Sequence, residues 1–303
     1  MSTPIFEEKT VTSAMTKSLM DLHPRELKGI ITEIPTLPVI YQALFQQMQD
    51  PEVSVSRVAE IISQDQALTA KVLHLVNSAF YGYSKHINTI SRAVVILGFQ
   101  AVRSAALAIS VFDYFKDEES NPHLDMAQYW RHSVAVASIC KVLAPVLNIQ
   151  QAEEAFVAGL LHDAGKLIEK RYFPEDFDEV CYAAKELHLS WFECEKALFQ
   201  SHHAMIAKTV FKQWKFPPHI SDAVNCHHLP ITATKAPHLA SLVHVADFLS
   251  YQMDLGAPGA WAPKKCSQDA LKLLEFSLDD FDLHRSAIEA EIEQSMEILK
   301  LLD

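Results

Sequence analysis

An apolar stretch that ends in two metal-binding side chains constrains the fold of this chain more than any other feature. Residues 156–166 read Phe-Val-Ala-Gly-Leu-Leu-His-Asp-Ala-Gly-Lys, and their first half carries no strand or turn signal, which predicts a buried helix. His162 and Asp163 follow the last leucine. A carboxylate beside an imidazole at the end of a buried helix is costly unless another group pairs with it. The fold must therefore bring partners to this point.

The local geometry of that stretch leaves two interpretations open. Neighbouring residues on a helix point about 100° apart, so His162 and Asp163 can face one ion only if it lies beyond the helix end. Gly165 could supply the positive φ that ends such a helix. For an isolated His-Asp pair the alternative is an ordinary helix terminus, with Asp163 as a capping residue. The other histidines of the chain decide between these interpretations.

The spacing of apolar residues predicts an all-α protein. Long runs follow a 3.6-residue period rather than strict alternation, and only seven glycines interrupt the 303 residues. Apolar residues make up 49% of the chain, which excludes general disorder and is enough for a large core. We therefore expect a multi-helix bundle that is preceded by an N-terminal helical lobe.

Charge and cysteine content narrow the class of protein. A formal net charge of -12 argues against nonspecific nucleic-acid binding, which needs clustered Lys and Arg. The five cysteines form no Cys-x-x-Cys pair and leave one over, which favours reduced thiols. The first residues do not resemble a signal peptide, and no apolar run approaches a membrane-spanning length. We expect a cytoplasmic protein that binds neither nucleic acid nor membranes.

Capping signals and charged loops divide the chain into four predicted segments. A charged loop at 117–122 is the predicted seam between an N-terminal lobe and the metal-site lobe. The segments are an N-terminal extension at 1–29, a helical lobe at 30–120, a metal-site lobe at 121–253 and C-terminal helices at 254–303. The last segment is either a contact surface or simply an acidic solvated face. Predicted helix caps are Ser54, Asp65, Thr89 and the capping box of Ser190 with Glu193.

Histidines and aspartates recur near the middles or ends of five different predicted helices, so these helices could converge on one pocket. Imidazole and carboxylate ligands without thiolate suit iron, manganese or a similar divalent metal better than a structural zinc site. Asp163 could bridge two ions, and two ions roughly 3.5–4 Å apart could clamp a phosphoryl oxygen. We predict one or two divalent ions, with iron or manganese favoured. The predicted ligands are His132, His162, Asp163, His203, His227, His228 and Asp247.

Each predicted ligand has a structural alternative, because a single histidine on an apolar helix is commonly a core residue. His202 could replace His203 as the ligand. We prefer His203 because the apolar pattern of the residues after it continues on the same face. His244 lies one turn before Asp247, and we interpret it as a core residue or as a group that orients the Asp247 carboxylate.

The order and spacing of these groups resemble the HD superfamily of metal-dependent phosphohydrolases. The resemblance covers roughly 125–250, and Gly-Leu-Leu-His-Asp-Ala-Gly-Lys is its most specific piece. It implies that Asp163 bridges two metal positions, one completed by His132, His162 and Asp247 and the other by His203, His227 and His228. Lys166 matches a lysine of the family that could meet a substrate phosphate, which makes Asp163 and Lys166 the candidate catalytic residues.

Further segments resemble the HDOD (HD-related output domain) family and extend the resemblance to about 30–250. HDOD proteins are usually regarded as signalling or output modules, and many have lost ligands of the HD site, whereas this chain keeps them all. The segments are Ile-Pro-Thr-Leu-Pro at 34–38, Asp-Gln-Ala-Leu-Thr-Ala-Lys-Val-Leu at 65–73, Asn-Ser-Ala-Phe-Tyr-Gly at 77–82, Ile-Ser-Arg-Ala-Val-Val-Ile-Leu-Gly at 90–98 and Trp-Lys-Phe-Pro at 214–217.

Two departures separate the chain from the HD-GYP cyclic-di-GMP phosphodiesterases. No Asp-Gly-x-Gly-Tyr-Pro motif follows His228, so we do not expect that activity. Gln128 stands one turn before His132, where some HD-GYP proteins place a Glu for a third metal, so we do not expect a trinuclear site.

Three functional hypotheses are compatible with these resemblances. The first is a signal-transduction module that acts through a protein partner or a small phosphorylated ligand, with a structural or ligand-sensing metal site. The second is an active phosphohydrolase, in which metal ions activate water and Lys166 stabilises the developing charge. The third is a structural scaffold without a functional metal site. The oligomeric state cannot be inferred from these patterns.

Overall fold

The computed structural model describes residues 54–77, 86–115, 124–150, 152–199, 201–256 and 265–302. Within these ranges the chain forms fourteen α-helices and two short 3-10 turns, and none of the described residues forms a β-strand. The predicted all-α class is confirmed. The extension at 1–29, the segment at 34–38 and the seam at 117–122 lie outside the described residues. None of the described helices combines the length and the hydropathy needed to span a membrane.

Three of the first four helices begin directly after the predicted capping residues Ser54, Asp65 and Thr89. The Ser54 hydroxyl accepts a hydrogen bond from the Arg57 N–H, and Thr89 does the same for Arg92. Gly98, at φ +86°, closes the third helix, as its position predicts. These local signals therefore locate the helices of the N-terminal part well. The four helices are α1 (Val55–Ser63), α2 (Gln66–Val76), α3 (Ile90–Leu97) and α4 (Phe99–Phe115).

The second part is a bundle of eight helices centred on α5, the long helix that Asp125 caps. α5 packs against α6 and α12, and its middle turns are buried on nearly every side. The other seven helices have 8 to 16 residues, so many helix ends lie close to the core of the bundle. The eight helices are α5 (Met126–Val146), α6 (Ala152–Leu161), α7 (Ala164–Tyr172), α8 (Pro174–Leu187), α9 (Trp191–Leu198), α10 (His203–Gln213), α11 (Pro218–Cys226) and α12 (Pro237–Gln252).

The C-terminal part confirms two predicted helices, α13 (Gln268–Leu273) and α14 (Phe281–Leu302), which a 3-10 turn separates. α14 lies along α5 with Ile288 buried, and the ammonium group of Lys141 pairs with Glu291 at 2.9 Å. It also contacts α2 and α4 of the first part. The last helix therefore contacts both the first part and the bundle. The predicted segment boundaries stay predictions.

Candidate metal centre

His162 and Asp163 form the two-residue turn between α6 and α7. α6 ends at Leu161 and α7 begins at Ala164, and the two turn residues are only 0% and 1% exposed. Asp163 occupies the N-cap position of α7, yet its side chain makes no capping hydrogen bond. The capping alternative therefore does not account for this buried carboxylate, and its oxygens point elsewhere.

Gly165 has a different role from the one that its sequence position predicts. It lies in the first turn of α7 and is absent from the described glycines with positive φ, so the expectation that it ends a helix is wrong. A Cβ atom at Gly165 would collide with the backbone carbonyl of His203. Only a residue without a side chain lets the starts of α7 and α10 approach so closely. The glycine thus brings His203 next to Asp163.

The first group of predicted ligands comprises His132 from α5, His162 and Asp247 from α12. The Nε2 atom of His132 lies 3.1 Å from an Asp247 oxygen, and the Nε2 atom of His162 lies 3.6 Å from the same oxygen. Asp163 Oδ2 is 3.4 Å from His162 Nε2 and 4.0 Å from His132 Nε2. These four side chains therefore face a single point.

The second group comprises His203, the first residue of α10, and the pair His227-His228 that follows α11. Asp163 Oδ1 lies 3.2 Å from His203 Nε2 and 3.9 Å from His227 Nε2. The Nε2 atoms of His228 and His203 are 3.0 Å apart. The two oxygens of Asp163 are thus divided, Oδ2 facing the first group and Oδ1 the second, as a bridging carboxylate requires.

Hydrogen bonds at the far nitrogen of four of the five imidazoles determine which atom faces the centre. His162 Nδ1 donates to the Gly159 carbonyl at 2.7 Å, and His227 Nδ1 donates to a backbone carbonyl three residues earlier at the same distance. Because a carbonyl only accepts, the proton must lie on Nδ1, and the lone pair of Nε2 is left for another partner. Histidines that bind metals are typically held this way.

In His203 and His132, the hydrogen bond at Nδ1 is made to a side chain instead of a backbone carbonyl. His203 Nδ1 donates to Glu195 at 2.7 Å. The Ser250 hydroxyl donates its proton to the Asp247 carbonyl and lies 3.1 Å from His132 Nδ1, so it accepts from that ring. Nδ1 of both rings is thus engaged, and Nε2 of both rings faces the centre.

The donor set fits a divalent cation because four buried atoms around the centre lack a partner. The Nε2 atoms of His132, His162 and His227 and Oδ1 of Asp163 make no hydrogen bond to the described residues. Buried polar atoms are rarely left so, and an ion is one of the groups that satisfy them. Three imidazole lone pairs and a carboxylate oxygen are ligands for iron, manganese or zinc.

The electrostatics of the cluster keep its acids charged. Burial alone would raise the pKa of Asp163, but His162 and Lys166 lower it well below its ordinary value. Burial and the neighbouring imidazoles lower the pKa of His227 and His228 well below the usual range. Burial would lower the pKa of His162 and of His203 as well, but Asp163 raises the first and Glu195 raises the second, to about 9. Since neutral imidazoles and ionised carboxylates coordinate metals, these two rings would release a proton when an ion binds.

Lys166 lies inside the protein beside Asp163. Its ammonium nitrogen is 2.6 Å from Asp163 Oδ2 and lies 5.5 Å from the centre of the Trp191 ring. The side chain is almost fully buried. The lysine therefore adds a fixed positive charge at the carboxylate that faces both groups of ligands.

Three histidines outside the predicted ligand set contact other groups and do not face the centre. His202 belongs to neither group of converging side chains, and its ring packs edge-on against Phe192. His244 donates from Nδ1 to the backbone carbonyl of His227 at 2.8 Å, and its Nε2 accepts from the Ser267 N–H. It therefore holds the backbone of a predicted ligand rather than the carboxylate of Asp247. His219 lies at the other end of α11, paired with Glu154.

Two residues beside the centre are absent from the set that the sequence predicts. Glu195, which is fully buried, accepts hydrogen bonds from both the N–H and the ring of His203 at 2.7 Å. Ser250 contacts His132. The sequence does carry a signal for Glu195, because it places a carboxylate directly after Cys194 on the apolar face of α9. Nothing in the pattern around Ser250 distinguishes it from other small residues of α12.

Access to the centre is limited. All seven predicted ligands except His228 are buried, and His228 is only partly exposed. Its ring stacks on Phe192 with centroids 4.3 Å apart and planes at 22°. The approach to the centre therefore lies at the side of the second group.

Comparison with known proteins gives consistent results. The family model of the HDOD domain matches residues 34–230. An uncharacterized protein of Treponema pallidum (strain Nichols) is 24% identical over 236 residues, which cover 77% of this chain and 45% of that protein. The chain thus spans less than half the length of this curated relative.

Two solved structures share the fold over most of their length. An HDOD domain protein of unknown function from Geobacter sulfurreducens superimposes with a TM-score of 0.74 at 27% identity, over 89% of this chain and 96% of that chain. A protein of Shewanella amazonensis described as a candidate phosphohydrolase gives a TM-score of 0.73 at 27% identity, over 91% and 98%.

Proposed function

This chain belongs to the HDOD family, and from that premise we propose that it is a signal-transduction output module with a divalent-metal centre of one or two ions. The observation that carries the metal proposal is the convergence of unpartnered imidazole nitrogens on the two oxygens of Asp163. The module acts by binding a signalling protein or a small phosphorylated ligand.

The residues of the centre have distinct proposed roles. His132, His162 and Asp247 would hold one ion, and the second group of three histidines would hold the other. Asp163 would serve both positions. A bound divalent cation supplies a fixed positive charge and a Lewis acid at the end of α6. Lys166 balances the charge of the bridging carboxylate, and Glu195 fixes the ring of His203.

The burial of the centre favours a sensory or structural role over turnover. A substrate phosphate that approached Lys166 would have to replace its contact with Asp163 at 2.6 Å inside the protein. Separating two charges that pair inside a protein is unfavourable unless each of them finds a new partner. Because Lys166 is already paired with Asp163, the site is better suited to holding an ion than to exchanging substrates.

Metal analysis of the purified protein tests the proposal. We expect about one or two equivalents of iron, manganese or a similar ion, and we expect Asp163→Ala to lose all of it because both positions share this carboxylate. His203→Gln removes a ligand of the second position, and His202→Gln is its matched control, a neighbouring histidine outside the centre. The first variant should hold less metal and the second should equal the wild type.

Elemental analysis without metal, even after reconstitution with Fe²⁺ or Mn²⁺ under reducing conditions, would overturn the metal centre. Equal metal loss in both histidine variants would show that the assignment of His203 is wrong.

A second candidate function is metal-dependent phosphoester hydrolysis. It is favoured by one observation, the complete set of ligands for two adjacent metal positions with Lys166 beside them. The test is a panel of nucleotides, cyclic nucleotides and phosphomonoesters with each metal. Turnover above that of Asp163→Ala would establish the enzyme, and turnover equal to that of the variant would leave the output module.

A further inference from the structure

A groove lies at the opposite end of the bundle from the metal centre. Its volume is about 510 Å³, within the range of small-molecule sites. The floor and rim include Asn148, Glu154, His219, Lys235, His238 and Leu239, and we call it the distal groove. A second cavity of about 440 Å³ adjoins it and shares Asn148 and His238. The chain thus has space for a small organic molecule at a place that no predicted ligand of the centre touches.

The accessible polar side chains of the distal groove are nitrogen donors. Among the described residues, Lys235 is the one lysine that lines it and Glu154 the one carboxylate, and Glu154 is only 6% exposed. That carboxylate is already engaged, because His219 Nε2 lies 2.8 Å from its Oε2. Lys235 and His238 are exposed at the rim. The groove therefore favours an anion.

The backbone of the segment that carries Lys235 is fixed by hydrogen bonds to α11. Asp222 of α11 accepts hydrogen bonds from the N–H groups of Thr234, Lys235 and Ala236 at 2.9, 2.7 and 3.2 Å. A loop fixed by three bonds to one carboxylate presents its side chain in a constant position, which reduces the entropy lost on binding. The lysine is thus displayed by a rigid support rather than by a loose turn.

The walls of the groove are apolar. Leu147, Ile149 and Leu239 lie beside the polar groups. Inorganic phosphate would leave these side chains uncovered, whereas an organic phosphate would cover them with its carbon skeleton. The combination of a cationic rim and an apolar wall matches a ligand with an anionic group at one end and an apolar body at the other.

Three helices connect the distal groove with the centre. α6, α11 and α12 start at the groove, where they carry Glu154, His219 and His238. Five of the seven predicted metal ligands follow the ends of α6 and α11 or lie in the second half of α12. Along α6, Glu154 and His162 are eight residues apart, about 12 Å at the rise of an α-helix. The groove is therefore a separate site that shares its supports with the centre.

We propose that the distal groove binds a small organic phosphate, with the phosphate at Lys235 and His238 and the organic body along Leu147, Ile149 and Leu239. The proposal rests on the proposed function only in that it gives the output module a place for its phosphorylated ligand. Binding at the groove needs no metal ion.

Calorimetric titration with AMP and with inorganic phosphate tests the proposal. Both the purified protein and the chelator-treated protein should bind AMP with one saturable site, and more tightly than inorganic phosphate. Lys235→Met should weaken AMP binding by about tenfold, as expected for loss of a charged hydrogen-bond donor. His238→Gln should weaken it several-fold. Lys208→Met, a change of another exposed lysine that does not line the groove, should leave the affinity unchanged.

Three results would each overturn the groove as a phosphate site. They are the absence of saturable binding of both probes at millimolar concentration, equal affinities of Lys235→Met and Lys208→Met, and loss of AMP binding after chelation. The last result would assign the phosphate to the metal centre, which would contradict the groove and leave the proposed function intact. If the protein contained no metal and still bound AMP, the groove would be supported and the proposed metal centre would be contradicted.

Discussion

Glu195 fixes both the backbone and the ring of His203, since it accepts a hydrogen bond from each at 2.7 Å. A glutamine has one acceptor oxygen, and its amide group would face the second donor with another N–H. We expect Glu195→Gln to lower metal affinity by about 10- to 100-fold, mainly at the second position. Metal titration followed by elemental analysis measures this loss.

Glu186→Gln serves as the control for that change. Glu186 is exposed on α8, so the same substitution there should leave metal affinity unaltered. Full metal content and wild-type affinity in Glu195→Gln would mean that the orientation of His203 does not depend on this carboxylate.

Gly165 allows the close contact between the starts of α7 and α10. In Gly165→Ala the new methyl group would overlap the His203 carbonyl, so the two helix ends must separate. We expect a loss of about 3 kcal/mol or more in the free energy of unfolding, together with reduced metal content. Urea unfolding measures the first effect.

Gly98→Ala is the matched control, because its added methyl group meets no atom within 4 Å. Only the backbone of Gly98 opposes that change, because φ +86° with ψ 160° is a conformation that almost only glycine adopts, at a cost of about 1–3 kcal/mol. Its metal content should equal that of the wild type. Equal metal loss in both variants would show that the contact at Gly165 is not what positions His203.

The predictability of the site differs between its ligands and the groups that orient them. His162 and His227 are oriented by carbonyls three residues earlier in their own helices, a contact that helical geometry makes local. Glu195 and Ser250 come from other helices, and no local pattern links them to their histidines. The sequence therefore suggests the ligand set and leaves most of its supports unidentified.

Among the elements, α14 shows how a peripheral helix stabilises the bundle. Ile288 is fully buried on the face of α14 that packs along α5, whereas Leu283 of the same helix is 79% exposed. Ile288→Ala should lower the free energy of unfolding by about 2–4 kcal/mol, because it removes buried methylene groups and leaves a cavity. Leu283→Ala should change it by less than about 0.5 kcal/mol.

Chemical denaturation of both variants checks this pair. Similar losses would show that α14 does not pack through the Ile288 face. A normal value for both would show that the helix contributes little to the stability of the chain.

Helix boundaries were predictable where a side chain caps the backbone. Ser54, Thr89 and Ser190 each accept the predicted bond, because the cap and its partner lie three residues apart. The expectation that Gly165 ends a helix was wrong, because Gly165 lies within α7. What the glycine permits is the close approach of the His203 backbone, a tertiary contact that propensity does not contain.

At the scale of the whole molecule, a bound metal should contribute to stability. A ligand that binds only the folded state stabilises it by RT ln(1 + [L]/Kd), about 2.7 kcal/mol at a hundredfold excess over Kd. Chelation of the purified protein should therefore lower the Tm, and addition of Mn²⁺ or Fe²⁺ should restore it. Differential scanning calorimetry with and without chelator measures the shift.

Asp163→Ala provides the comparison for the chelation experiment. Its Tm should not respond to chelator or metal, because it lacks the shared carboxylate. An identical response in the variant and the wild type would show that the metal acts elsewhere on the chain.

The contact between Gly165 and the backbone of His203 determines how the two halves of the centre respond to an ion. Main-chain atoms, rather than the ion, set the separation of Asp163 from His203, so the apoprotein is already preorganised. Amide hydrogen exchange at the start of α10 should accordingly slow little when metal enters. The backbone would hold the ligands in place before the ion binds, so none of the binding free energy would be needed to order the chain.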